Sequence, residues 1–314
     1  MSSVAYRNFF SMGTRIDIIL PDCDDESADS ISLLLQNELN RIEEKISIYI
    51  PESEFSKINK SAFSEPVTTD SEILNLLKEL IVLSGKTMGY FNFTLGTFLR
   101  SLKENPALAD DKEKLLEMVS STGVHFIDLN SDVSTVSFSS EHVFIDSGGF
   151  GKGFALDRIK NVMNRSVFPS FFISFGESSV LACGSHPYGD SWKTGIRNIF
   201  KEEEYIFSFN MRDEFLSVSG ITPQNLKKYG TGHIIDPLTG EPVTRFLHSA
   251  VTGKEGVTTE VLSTALIVSP DKTRDTIMEG FPECSAVVYE YNNNNFIPEI
   301  VYSKKPLNDE RSNR

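Results

Sequence analysis

Hydrophobic and polar residues alternate along Thr14-Arg15-Ile16-Asp17-Ile18-Ile19-Leu20, the period-two signature of a half-buried strand. Acidic and capping residues from Asp22 to Ser30 predict a helix start, after which Ile31, Leu35, Leu39, Ile42 and Ile46 fall on one face. Thr69-Asp70-Ser71-Glu72 has the form of a capping box opening a second helix, with Ile73, Leu77 and Leu80 on its stripe. A third helix is expected from Lys112 to Val119. Val124 to Leu129 and Val133 to Phe138 read as a hairpin around Asn130-Ser131-Asp132.

From Val143 the texture changes to short strands, glycine turns and two helices, one after Gly153 and one from Val257 to Val268. The stretch after Pro51 is polar, Asn292 to Asn295 reads as a loop, and the polar residues from Ser303 read as a frayed end. No solenoid repeat or heptad run is present. These elements together predict a mixed α+β architecture.

The 314 residues, of which 39% are hydrophobic and 11% aromatic, suffice for a sizeable core. The expected organisation is a single domain over residues 1–302, built as one unit or as two lobes, followed by a disordered tail over 303–314. A net charge of −14 disfavours nucleic acid and anionic membrane surfaces as partners, although a local cationic pocket can still hold a phosphate. Cys23, Cys183 and Cys284 are widely spaced and odd in number, which fits a reducing compartment. No segment approaches the roughly 20 apolar residues that span a bilayer, and the N-terminus lacks the form of a secretory signal, so a cytoplasmic location is expected.

Three stretches carry candidate chemistry. In Val143 to Asp157 an apolar strand is expected to run into Ser147-Gly148-Gly149-Phe150-Gly151-Lys152-Gly153 and then a helix. Glycines let backbone N–H groups approach an anion, and the helix start adds its positive dipole end. The stretch matches neither the P-loop nor the dinucleotide fingerprint, and such a turn also serves as a plain tight connection. In Thr259-Glu260-Val261-Leu262-Ser263-Thr264 a carboxylate and a hydroxyl four residues apart share a helix face. Both are hard ligands suited to Mg²⁺, although most such pairs are solvated faces. Third, His233 precedes a tight turn marked by Asp236-Pro237 and Thr239-Gly240. A lone histidine is more often structural than catalytic, and His125, His142, His186 and His248 are read as structural.

Taken in order, these blocks resemble the ApbE family of FAD:protein FMN transferases. The resemblance spans nearly the whole chain and rests on Phe10-Ser11-Met12-Gly13-Thr14, Ser47-Ile48-Tyr49 through Ile58-Asn59, and Gly89 to Thr94. It continues through Asp146 to Asp157, Ser174-Phe175-Gly176-Glu177, Trp192 to Ile196, Ser219-Gly220, His233 to Gly240 and Leu262 to Ala265. It implies a T-fold of mixed sheets with flanking helices around a flavin cleft, with FAD bound and Mg²⁺ at its pyrophosphate. The implied reaction attaches FMN through a phosphoester to a threonine or serine of an acceptor flavoprotein and releases AMP. Carried over, the metal ligands are Glu260, Thr264 and the Gly151 carbonyl; Met12, Asn59, Gly148 and Lys152 line the flavin and pyrophosphate site; His233 is the base.

Two departures stand out. Glu260 occupies a position where the family usually has aspartate, and Ile221-Thr222-Pro223-Gln224 replaces the usual tyrosine and arginine in a segment that looks short before His233. Family members commonly act outside the cytoplasmic membrane, so a cell-envelope location is the alternative if a leader has been removed. Two rival functions follow: an FAD pyrophosphatase giving FMN and AMP, and a non-catalytic FAD-binding homologue.

Overall fold

The computed structural model of the chain describes residues 3–164, 168–198, 201–221, 234–292, 295–302 and 308–309. In chain order the strands are β1 (Val4–Ser11), β2 (Thr14–Pro21), β3 (Val67–Thr68), β4 (Ile127–Asn130), β5 (Thr135–Phe138), β6 (Phe171–Phe175) and β7 (Ser179–Cys183). They continue with β8 (Trp192–Asn198), β9 (Lys201–Met211), β10 (Glu214–Gly220), β11 (Leu247–Gly253), β12 (Ser285–Asn292), β13 (Asn295–Tyr302) and β14 (Asn308–Asp309). The helices are α1 (Asp25–Ile46), α2 (Glu54–Ser61), α3 (Ser71–Lys86), α4 (Gly96–Glu104), α5 (Lys112–Ser120), α6 (Gly151–Met163), α7 (Gly256–Val268) and α8 (Asp271–Glu279).

The expected elements form where local signals are strong. Asp24 caps α1 by accepting from the Ser27 N–H, and the predicted stripe from Ile31 to Ile46 is buried. At α3 the expected Thr69–Glu72 box does not form: Asp70 is the cap, accepting from the Ile73 N–H, while Thr69 donates to Glu54 and Glu72 pairs with Arg41 and Arg158; β4 pairs with β5 as the predicted hairpin. Three helices escape the hydrophobic pattern. α2 is short and buries only Phe55 and Ile58, its start fixed by Ser53 accepting from the Ser56 N–H; α4 and α8 lack a side-chain cap.

The Val143-Phe144-Ile145 segment corrects the reading of a strand before the glycine turn. It makes one isolated parallel bridge, Leu95 to Phe144: the Phe144 N–H donates to the Thr94 carbonyl, the Phe144 carbonyl accepts from the Gly96 N–H, and the Asp146 N–H that follows donates to the Phe93 carbonyl. An apolar run reports burial; it does not distinguish a ladder strand from a buried extended connection. Of the polar tail, only Asn308–Asp309 is described, as β14 against β9; the rest of residues 303–314 lies outside the described residues. Asn292 pairs with Asn295 where β12 turns into β13.

The central sheet has the order β1-β2-β6-β7-β10-β11-β12-β13, and every neighbouring pair is antiparallel. Both faces of its middle strands are covered. Phe215, Val251, Ala286 and Val288 join the core beneath the helices, while their alternates Leu216, Ala250, Val287 and Tyr289 pack with Trp192, Ile196, Phe207 and Phe209 of the small β14-β9-β8 sheet. The period of two in side-chain direction assigns successive residues to different layers, so strands such as β7 read as continuously apolar.

Candidate active site

α6 and α7 cross in direct backbone contact. A Cβ on Gly153 would lie 2.3 Å from the Gly256 carbonyl oxygen, so a side chain there would collide with backbone. Asp157, one turn along α6, accepts from the Gly256 and Val257 N–H groups at 2.8 and 2.9 Å and so caps α7 from a neighbouring helix. Burial pushes Asp157 up to about 6 in spite of those two bonds.

The crossing brings Glu260 of α7 to the first turn of α6. Its carboxylate accepts from the Gly153 N–H at 2.5 Å and from the Ser179 hydroxyl at 3.3 Å, and pairs with the Lys152 ammonium at 3.2 Å. Glu260 is only 3% exposed, so these partners and the helix N-terminus replace the water it has lost. Lys152 also donates to the Ser178 hydroxyl at 2.9 Å. One turn on, Thr264 donates to the Glu260 carbonyl oxygen at 3.1 Å and lies 3.3 Å from the Ser219 hydroxyl. Ser263 links Ser217 and Ser219 at 3.0 and 2.8 Å, so α7 and β10 share a seam of hydroxyls.

The glycine turn is held from behind. Phe150, fully buried, packs edge-on against Phe55 and Phe93, and Asn59 clamps Ile145 by accepting from its N–H at 2.7 Å and donating to its carbonyl at 2.9 Å. The turn amides are largely committed within the fold: Gly148 N–H donates to Asp146, Gly151 N–H to the Ser147 carbonyl, and Gly153 N–H to Glu260. The cradle of free amides expected for an anion is therefore reduced, and the cationic recognition group at this point is Lys152.

These groups face a cleft of about 1230 Å³. Drug-sized ligands occupy pockets of about 300–1,000 Å³, so this one has room for a dinucleotide. Of the expected site residues, Gly148, Lys152, Glu260 and Thr264 line it together, joined by Tyr90, Phe91, Asn92 and Phe93. Met12, Asn59 and Gly151 are not among the lining residues. The Met12 N–H donates to Glu43 from a left-handed backbone (φ 51°), and the Asn59 amide is spent on Ile145, so these two support the site's frame. His233 and residues 222–232 lie outside the described residues. The turn after it forms as expected, with Asp236 accepting from the Leu238 N–H and Gly240 at φ 77°.

As to a metal, no group of three or more His, Cys, Asp or Glu side chains among the described residues could hold one. The Glu260 carboxylate and Thr264 hydroxyl are hard oxygen donors, and Mg²⁺ commonly takes one or two carboxylates and completes its shell with water and substrate phosphates. The donor set thus fits a cation that arrives with a phosphorylated substrate, with Lys152 balancing Glu260 meanwhile. Sequence reasoning missed His248 and Thr194, which also line the cleft. The only local signal was a polar residue amid the apolar alternates of β11, as in Leu247-His248-Ser249-Ala250-Val251.

A family model described as the ApbE family matches residues 12–288. A relative named FAD:protein FMN transferase from Vibrio cholerae serotype O1 is 24% identical over 261 residues, covering 79% of this chain and 77% of that protein. One of the same name from Haemophilus influenzae is 25% identical over 244 residues, covering 73% and 70%. The solved flavin transferase ApbE from Vibrio cholerae superposes with a TM-score of 0.80 at 20% identity, covering 96% of this chain and 98% of that one. The apo form of the Pseudomonas stutzeri flavinyl transferase ApbE gives 0.80 at 17% identity, covering 96% and 95%. The shared fold and a family match running from Met12 to the middle of β12 lead to one assignment: the chain belongs to the ApbE family.

Proposed function

We propose that this protein is an FAD:protein FMN transferase, moving the FMN half of FAD onto a threonine or serine hydroxyl of an acceptor flavoprotein. The observation that carries the reading is the convergence of Lys152, Glu260 and Thr264 on one wall of a dinucleotide-sized cleft. Family membership and the relatives' printed names agree with it.

In the reaction the bond between the FMN phosphorus and the bridging pyrophosphate oxygen breaks, the acceptor oxygen bonds to that phosphorus, and AMP leaves with the bridging oxygen. Lys152 would offset charge on the pyrophosphate, and its bond to Ser178 holds the ammonium at the cleft wall. Mg²⁺ would be held by Glu260 and Thr264, the two expected ligands that line the cleft, and would supply further charge neutralisation when bound; the Gly151 carbonyl, off the lining, is left out of this donor set. The seam of Ser217, Ser263 and Ser219 fixes Thr264 beside the cleft. His233 is proposed as the base that takes the acceptor's hydroxyl proton.

The test is mass spectrometry of an acceptor flavoprotein incubated with this protein, FAD and Mg²⁺. A covalent FMN adduct with AMP released in equal amount is the expected result. AMP and free FMN released at the same rate without acceptor would instead make the protein a pyrophosphatase, and FAD binding without any AMP would make it a carrier.

A further inference from the structure

We infer that the cleft contains a specificity subsite in which the His248 imidazole and the Thr194 hydroxyl hydrogen bond to the edge of a planar nitrogen heterocycle, one of the two that FAD carries. The inference rests on the dinucleotide reading above and adds residues that none of the recognised blocks assigns to binding.

Among the described residues, Thr194 Oγ1, Ser249 Oγ and Ser269 Oγ are buried without a hydrogen-bond partner, and the His248 ring, which bonds to the Phe246 backbone through one nitrogen, keeps its other nitrogen without one. Two of these four atoms, Thr194 Oγ1 and the remaining His248 nitrogen, belong to residues that line the same cleft. Buried polar groups are nearly always paired, because each unpaired one keeps the full penalty of leaving water. Two cleft residues carrying the same deficit point to a ligand that supplies the missing partners.

The geometry holds the imidazole in place. His248 is 4% exposed and lies between Gly220 of β10 and Tyr289 of β12 in register. Its ring stacks on Tyr289 at 5.3 Å with planes 12° apart and meets Tyr291 edge-on at 5.5 Å. It occupies space that only a glycine opposite leaves open, since a Cβ on Gly220 would come within 2.0 Å of its Cδ2. His248 shares its sheet face with Ala250, toward the layer built on β8, the strand that carries Thr194. A rotamer held this tightly keeps its acceptor nitrogen pre-aimed, which lowers the cost of binding.

The chemistry selects the ligand. Burial pushes His248 down to about 4 against the raising effect of its bond to the Phe246 backbone, so at neutral pH the ring is uncharged, with its N–H donated to Phe246 and its other nitrogen left as an acceptor. An acceptor nitrogen and a hydroxyl lining one cleft suit an edge that alternates donors and acceptors, as the amino and ring nitrogens of adenine do, or the imide of the isoalloxazine. Phosphate is better served at Lys152. A site built on hydrogen bonds discriminates strongly, because a ligand lacking the matching groups leaves these atoms unpaired.

The test compares wild type with Thr194→Val and His248→Phe, measuring affinity for FAD, AMP and riboflavin by titration, with KM and kcat for adduct formation. Thr194→Val keeps the side-chain volume, so its result stands even if His248→Phe folds poorly. Both substitutions are expected to weaken FAD binding about tenfold and to raise KM with kcat within about twofold. The same substitutions should weaken either AMP or riboflavin, and the one affected names the heterocycle. Wild-type affinity for all three ligands in folded Thr194→Val protein would overturn the subsite while leaving the transferase reading standing. Failure of the wild type to bind FAD would overturn both.

Discussion

Gly153 and Gly256 face one another so closely that a Cβ on either would lie 2.3 Å from the other's carbonyl oxygen. This contact sets the distance between the start of α6, with Lys152, and α7, with Glu260 and Thr264. Gly153→Ala forces the helices apart and is expected to cost about 1–3 kcal/mol, as overpacking does. The displacement should also reduce adduct formation, because Glu260 loses its register with the Gly153 N–H. Thermal unfolding and adduct yield, measured on the same preparation, check both effects; wild-type values for both would show that the contact relaxes freely.

Thr264→Ala separates chemistry from packing. The hydroxyl bonds back onto its own helix and toward Ser219, and alanine favours a helix interior, so stability is expected to change by less than about 1 kcal/mol. Turnover at limiting Mg²⁺ should fall at least about a hundredfold, in line with loss of a group that stabilises transferring charge. Glu260→Ala offers no such separation: it leaves the Gly153 N–H, Ser179 and Lys152 without their common acceptor, and the protein should unfold at lower denaturant concentration. Denaturant melts with an Mg²⁺ titration of rate distinguish the two variants.

Asn59→Ala tests support against contact. Removing the amide strands the Ile145 N–H and carbonyl, with an expected loss of about 1–3 kcal/mol. FAD affinity of the protein that remains folded should change little, since Asn59 does not line the cleft. A large loss of affinity with an unchanged melting temperature would make Asn59 a direct ligand contact.

His248 also ties stability to pH. Its folded value is depressed from 6.5 to about 4, so the unfolded chain binds the proton more readily. Its contribution is therefore fully present above about pH 6.5 and is lost as pH falls toward about 4. Asp157 acts in the opposite sense: raised from 3.8 to about 6, it favours the folded state as pH falls through that window. His248→Phe should thus gain stability relative to wild type between pH 6.5 and 4, and Asp157→Asn should remove the opposing trend. Melting temperatures across that range check both signs.

Much of the fold was legible where the signal is local. The Ile31 to Ile46 stripe and the polar start of α3 each lie within a few turns and mark their elements, although the cap falls on Asp70, one residue after the Thr69 that the box pattern names. α2 was not legible, because eight residues with two buried apolar side chains carry too little periodicity. Among the site residues, Glu260 and Thr264 were marked as a pair by helical spacing. Nothing in that spacing shows Glu260 buried, since α7 mixes apolar residues with Thr258, Thr259, Ser263 and Thr264 and the burial of Glu260 depends on Gly153, 107 residues earlier. His248 was illegible for a related reason: its surroundings come from register with Gly220 and Tyr289, which only the folded sheet supplies.

The central sheet carries a different layer on each face, and the cleft borrows from both. Reactive groups come from the helical side, whereas Thr194 and His248 sit toward the small-sheet side. On the proposed function, substitutions at Thr194 of β8 or His248 of β11 would alter which heterocycle is admitted without touching Lys152, Glu260 or Thr264. A protein partitioned in this way is free to exchange one client for another while its bond-breaking apparatus is inherited unchanged.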